Sequence, residues 1–89
     1  MKIQIDPHTL VRSEERGASE EEIRDVLETG DRFRAKHGRL GKAKVFPFRA
    51  QRLGRFYEEK RVEVIYAQEG DTVVTITVYV FYGKWEGRR

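Results

Sequence analysis

The chain contains no cysteine. That excludes a disulfide framework and any zinc or iron–sulfur centre held by thiolates. Histidine occurs only as His8 and His37, and neither lies at ligand spacing with carboxylates, so no metal site is expected. No apolar stretch approaches the roughly 18 residues that a membrane helix needs. The opening residues Met1–Asp6 are too few and too polar for a signal peptide. No Ser–His–Asp set and no pair of carboxylates at catalytic spacing stands out, and there is neither an internal repeat nor a low-complexity segment. These absences lead to the expectation of a soluble cytoplasmic protein that uses no cofactor.

What is present is charge and aromatic surface. The 89 residues carry 18 Lys+Arg against 15 Asp+Glu, a net charge of +3. Both signs are abundant, and ten aromatics (five Phe, four Tyr, one Trp) accompany them, so the composition favours folding over disorder. A chain this short buries only about 60% of its unfolded surface, which predicts a thin core that claims most of the aromatics. The small net charge hides an uneven layout. Residues 1–31 hold four basic and nine acidic side chains (−5), residues 32–61 eleven and two (+9), and residues 62–89 three and four (−1). A basic third points to a polyanionic partner.

The pattern reads as one domain over residues 1–89, with a basic segment at 31–61 and a C-terminal hairpin at 61–82. Met1–Ile5 alternates like a short edge strand, which could also pair across a homodimer. Asp6-Pro7 opens a helix that runs to about Arg16 and stops at Gly17. Ser19-Glu20-Glu21-Glu22 is a capping box, and it opens a second helix with Ile23, Val26 and Leu27 at helical spacing, ending at Gly30. Arg32–Lys36 alternates like a strand, His37–Lys42 reads as a glycine-bearing basic loop, and Lys44–Phe48 reads as a strand whose Pro47 prefers an edge or bulge. Arg49–Lys60 reads as a loop. Arg61–Ala67 and Thr72–Tyr82 are strands joined at Glu69-Gly70-Asp71. The expected class is α+β, with two N-terminal helices on a three- to four-stranded, mostly antiparallel sheet. In the last strand Val74, Ile76, Val78 and Val80 are expected to face the helices and to meet Leu10, Val11, Ile23, Val26 and Leu27. Val73, Thr75, Thr77, Tyr79 and Phe81 would form a more polar, concave face.

Three groups of residues suggest chemistry. His8, Arg12 and Arg16 recur at four-residue spacing and drift only about 80° around a helix, so they share one stripe. Guanidinium groups hold phosphate bidentately, and an imidazole can move a proton near neutral pH. The same stripe also fits a solvated helix face on which Arg12 and Arg16 pair with Glu15 or Glu20. In the segment Lys36-His37-Gly38-Arg39-Leu40-Gly41-Lys42-Ala43-Lys44, with Arg49 beyond it, basic side chains alternate with glycines that let a backbone approach phosphate. It departs from a nucleotide P-loop in its glycine spacing and in Ala43 after Lys42. Aromatics interleave with these cations, and Trp85, beyond the last strand, is the best candidate for stacking on a base.

The run Pro7-His8-Thr9-Leu10-Val11-Arg12-Ser13-Glu14-Glu15-Arg16-Gly17, the helix start Ser19-Glu20-Glu21-Glu22-Ile23 and the strand Val73–Tyr79 together resemble a bacterial family of domains of unknown function (DUF4258-like), over about residues 6–86. That family is grouped with the barnase/RelE-like ribonuclease toxin fold. The resemblance implies helices packed on an antiparallel sheet, and a metal-independent endoribonuclease or a relative that has lost the activity. It implies catalytic roles for His8, Arg12 and Arg16, with supporting polar positions at Thr75, Thr77 or Tyr79, RNA as substrate and an antitoxin protein as partner. Lys36, His37, Arg39, Lys42, Lys44, Arg49 and Trp85 are expected to grip the RNA, with Tyr79 or Glu63 as a second proton-transfer group. The competing expectations are a non-catalytic nucleic-acid-binding module and a domain that docks an acidic protein.

Overall fold

The computed structural model describes residues 1–85. Strand β1 is Lys2–Gln4. Helices α1 (Pro7–Arg16) and α2 (Glu20–Thr29) follow. Strand β2 (Asp31–Arg34) and a 3-10 turn at Lys36–Gly38 lead into three long strands, β3 (Leu40–Arg52), β4 (Arg55–Glu69) and β5 (Thr72–Gly83). The α+β class is the one expected from the sequence, but the sheet has five strands in the order β1-β5-β4-β3-β2. The two short segments account for the excess. β2 pairs antiparallel with the start of β3, and β1 pairs in parallel with β5 of the same chain, Ile3 opposite Val73. No helix among the described residues is long and apolar enough to cross a membrane.

Local chemistry sets the helix ends. The Asp6 side chain accepts from the His8 backbone N–H at 2.8 Å, Pro7 takes the first turn, and Gly17 closes α1 in the left-handed region at φ 97°. The capping box of α2 is complete: Glu22 N–H donates to Ser19 Oγ at 3.1 Å and Ser19 N–H to Glu22 Oε1 at 3.0 Å. Helix α2 then buries Ile23, Val26 and Leu27 against Val62, Val64, Tyr66 and Val78 of the sheet. Each such aliphatic side chain contributes about 1.5–3 kcal/mol.

Helix α1 seats differently from the expectation. Its buried residues are Thr9 and Ser13, while Val11 is 54% exposed. Thr75 sits opposite them: its hydroxyl donates to Thr9 Oγ1 at 3.0 Å and accepts from Asp6 N–H at 3.0 Å. Small side chains let α1 lie close to β5, where a Leu would hold it off, and a Val of the same size would lose the hydroxyl hydrogen bonds. Of the aromatics in the described residues only Tyr66 is buried, so the core is built mainly from aliphatics rather than rings.

Two bulges explain the other departures. Ile65 pairs with Thr77 and Tyr66 with Thr75, so Ile76 is an extra residue that no partner faces. One inserted residue reverses the alternation. Val73 and Thr75 therefore face the helices with Val78, while Ile76 is exposed. The second bulge falls between Pro47 and Ala50, with Arg49 at φ 47°. Past it, the segment expected to be a loop continues as paired strand to a two-residue turn, Leu53-Gly54, both at positive φ.

Candidate nucleic-acid interface

The pairing register sorts the basic segment onto two faces. On β3, Lys42 and Lys44 lie opposite Val64 and Val62, which face the helices. Lys42 Nζ donates to the Leu27 carbonyl at 2.7 Å and caps the end of α2. Lys44 Nζ lies 3.0 Å from both carboxylate oxygens of Asp25 and 2.9 Å from Thr29 Oγ1. The Lys44 hydrogen bond, helped by that from Thr29, holds the Asp25 carboxyl below its ordinary value. Lys60, buried, donates to Gly17 O at 2.7 Å and to Glu22 Oε1 at 2.9 Å. Lys42 and Lys44, expected to grip RNA, are thus structural cations that tie the sheet to α2. Side chains at alternate strand positions share a face, and this one is under the helices.

The opposite face carries no helix. Along β4 it presents Arg61, Glu63 and Ile65; register places Phe81, Tyr79 and Thr77 of β5 beside them and Val45, Ala43 and Gly41 of β3 on the other side. A groove of about 700 Å³ opens here. Its floor is Glu63, Ile65 and Thr77. One wall is Tyr79 and Phe81, which are 42% and 48% exposed, with ring centroids 6.5 Å apart. The other wall is Phe33 and the turn Lys36-His37-Gly38-Arg39. The tip of the Phe33 ring lies against Gly41, where even a Cβ would come within 2.6 Å of it; any larger residue would displace the ring. The turn is held by Ala35 N–H donating to Arg39 O at 2.9 Å, with His37 at φ 61°. Lys36, His37 and Arg39 are all exposed on it, and no carboxylate among the described residues lies in ion-pair range of them. Arg61 Nε donates to Glu63 Oε2 at 2.9 Å, which holds that carboxylate in place.

The helix stripe does not join this groove as a unit. The His8 side chain is 94% exposed and its ring meets only Asp6 Oδ1, at 3.3 Å. Arg12 is exposed. Both stand on α1, which packs on β5, while the basic turn rises from the β2–β3 margin on the far side of β4. Arg16 alone reaches across. β1 pairs with β5 only as far as Val74; beyond it Arg16 Nη1 donates to the Val78 carbonyl at 2.5 Å and its guanidinium lies 5.2 Å from the Tyr79 ring centroid. The Tyr82 hydroxyl donates to Arg16 O at 2.6 Å, and burial pushes that phenol up, which keeps its proton in place. Arg16 is therefore an anchor of α1 that also borders the groove.

The remaining positions separate in the same way. Thr77 and Tyr79 line the groove, whereas Thr75 is buried under α1. Trp85 folds back beside Gly83, and its backbone N–H donates to Glu59 Oε1 at 2.8 Å. Arg49 stands at the bulge, exposed, at the far end of the same face. The sequence places Phe81 with Thr77 and Tyr79 on one face and Phe33 among the aromatics interleaved with the cations, but it does not single out Arg61 as part of a site. Plain alternation already groups Phe81 with Tyr79 and Thr77, and the bulge at Ile76 removes only Val73 and Thr75 from that face. Among the described residues no three His, Asp or Glu side chains gather as a metal site.

The model of a family described as "Domain of unknown function (DUF4258)" matches residues 5–80. No curated protein and no solved structure matches the chain.

Proposed function

The chain belongs to the DUF4258 family, whose description names no activity; from the geometry of its helix-free face we propose that it binds single-stranded RNA there. One observation carries the reading: two exposed rings, Tyr79 and Phe81, face the unpaired cations Lys36 and Arg39, with His37 beside them, across one groove. Rings that offer their faces take unpaired bases, each stack contributing about 1–3 kcal/mol, and cations beside them take the phosphates. An open antiparallel sheet holds the rings rigidly, because the helices pack on the other side. A cytoplasmic location goes with that ligand and is part of the proposal.

A second reading, an endoribonuclease of toxin type, has one observation in its favour: His37, Glu63 and Tyr79 line the same groove as Arg39. Cleavage needs a base for the 2′-hydroxyl, an acid for the 5′-oxygen and a cation for the charge on phosphate. In this version the acid–base work passes from His8 to His37 and Glu63. An antitoxin-like protein partner belongs to this reading.

Binding of a fluorescent 12-nucleotide unstructured RNA at several salt concentrations tests the first reading. Affinity should fall as salt rises, and Tyr79→Ala with Phe81→Ala should weaken it by about 30-fold or more. Absence of salt-dependent binding, or binding indifferent to those changes, contradicts it. The same RNA incubated with the protein and a chelator, then run on a gel, tests the second. Cleavage that Glu63→Gln and His37→Ala abolish supports it, and intact RNA removes it.

A further inference from the structure

The groove is not the only place on the helix-free face with an unpaired cation. At the opposite end of β3 and β4 a smaller depression of about 230 Å³ is lined by Val45, Pro47, Arg49, Glu59 and Lys84, with Glu58 at its rim. Val45 pairs with Arg61 and Pro47 with Glu59, so this depression opens on the same face as Arg61 and Glu63. β2 pairs with β3 only through Ala43, and β5 ends opposite Glu59, so β3 and β4 continue beyond it as a two-stranded arm.

The backbone here is not regular. Two residues of β3, Phe48 and Arg49, face one residue of β4, and Arg49 is in the left-handed region at φ 47°. A side chain that is not glycine, asparagine or aspartate adopts that conformation at a cost, about 1 kcal/mol or more. A bulge of this kind re-aims a side chain. Here it adds Arg49 to the lining of the depression, and no carboxylate lies within ion-pair range of it among the described residues. Glu59 is buried and accepts from the Trp85 backbone N–H, so the remaining rim acid is Glu58.

We infer that the single-stranded ligand runs the length of this face, with its bases on Tyr79 and Phe81 and a phosphate at a second, remote subsite on Arg49. The inference rests on the reading of the groove given above. From Ile65 to Glu59 is six residues of β4, about 20 Å at the rise of a strand. A single domain that tracks a strand over such a length covers roughly 4–16 nucleotides. Between the groove and the depression lie Arg61, which pairs with the Glu63 carboxylate, and the exposed ring of Phe81, so no helix blocks the path and its central acid is already neutralised.

The test compares a 4-nucleotide and a 12-nucleotide RNA of uniform sequence on the whole protein. Arg49→Asn removes the cation and keeps a residue suited to positive φ, so the bulge survives. It should weaken the 12-mer about 10-fold, lower the salt slope by about 0.7, and leave the 4-mer unchanged. Arg49→Lys should restore most of the 12-mer affinity, and Glu58→Gln should raise it a few-fold. If wild-type protein binds both RNAs but Arg49→Asn leaves the 12-mer and its salt slope unchanged, the remote subsite is overturned and the groove stands. If Arg49→Asn weakens both lengths equally, the subsite is not remote and the inference also fails. If wild-type protein binds neither RNA, both the groove reading and the extension fall.

Discussion

The two faces of the sheet use the same residue types for opposite ends. Under the helices, Lys42, Lys44 and Lys60 each find a carbonyl or a carboxylate within 3.0 Å. On the open face, Lys36, Arg39 and Arg49 find none among the described residues. The aromatics divide similarly: Tyr66 is buried beneath α2, while Tyr79 and Phe81 stand half in solvent. A density of cations along the chain therefore says that a polyanion is a candidate partner, but strand parity decides which cations are available to it. Lys42 and Arg39 are three residues apart, and one closes a helix while the other lines a groove.

Substitutions should separate the faces cleanly. The largest effect on stability is expected at Lys60. Lys60→Ala removes a buried ammonium that bonds the Gly17 carbonyl and Glu22, leaving Glu22 only its Ser19 N–H, and should cost about 2–3 kcal/mol, read by urea denaturation. Its folded fraction should bind RNA as before. On the other face, Tyr79→Ala combined with Phe81→Ala should reduce RNA affinity by about 30-fold or more and change stability far less, since both rings are exposed. Next, Lys36→Gln with Arg39→Gln should lower the salt slope of binding by about 1.4 and leave the urea midpoint unmoved. If those two changes unfold the protein instead, the division between the faces is wrong.

The smallest effect concerns pH. The Asp25 carboxyl titrates below its ordinary value of 3.8 because Lys44 and Thr29 hydrogen-bond to its charged form. Its folded value is depressed, so the contribution to stability is fully present above the ordinary value and fades as pH falls through the folded one. The pair is partly exposed, so the effect stays under about 1 kcal/mol. Lys44→Met should flatten that part of the acid-denaturation profile while leaving RNA affinity at neutral pH within twofold. A loss of affinity there would return Lys44 to the binding surface.

Much of the local structure is legible in the sequence because its causes are local. Ser19 with Glu22, Asp6-Pro7 with Gly17, and Ile23, Val26 and Leu27 need only neighbours within a turn or two. What is not legible depends on the far side of the sheet. Leu53 occupies a left-handed turn position where asparagine, aspartate or glycine would have signalled a hairpin, and it is 96% exposed at the tip, so the extended arm reads as a loop. The bulge at Ile76 leaves no mark in a run of β-branched residues, and without it every inward residue of the first half of β5 is assigned to the wrong face. Thr9 and Ser13 look like surface positions of α1 until Thr75 is placed opposite them. The groove follows from these long-range facts. Its rings and cations are visible in the sequence, but their convergence is set by the strand order that puts β5 beside β4 and the basic turn at the head of β3.

The most direct test of the claim that the helix-free face is the binding surface is an amide and methyl NMR titration of the protein with the 12-nucleotide RNA. Shifts should concentrate at Ile65, Thr77, Tyr79 and Phe81 and on the turn at Lys36–Arg39, and the signals of Val26, Leu27 and the exposed α1 residues His8 and Arg12 should stay in place. Shifts centred on His8 and Arg12, with the sheet face silent, would contradict it.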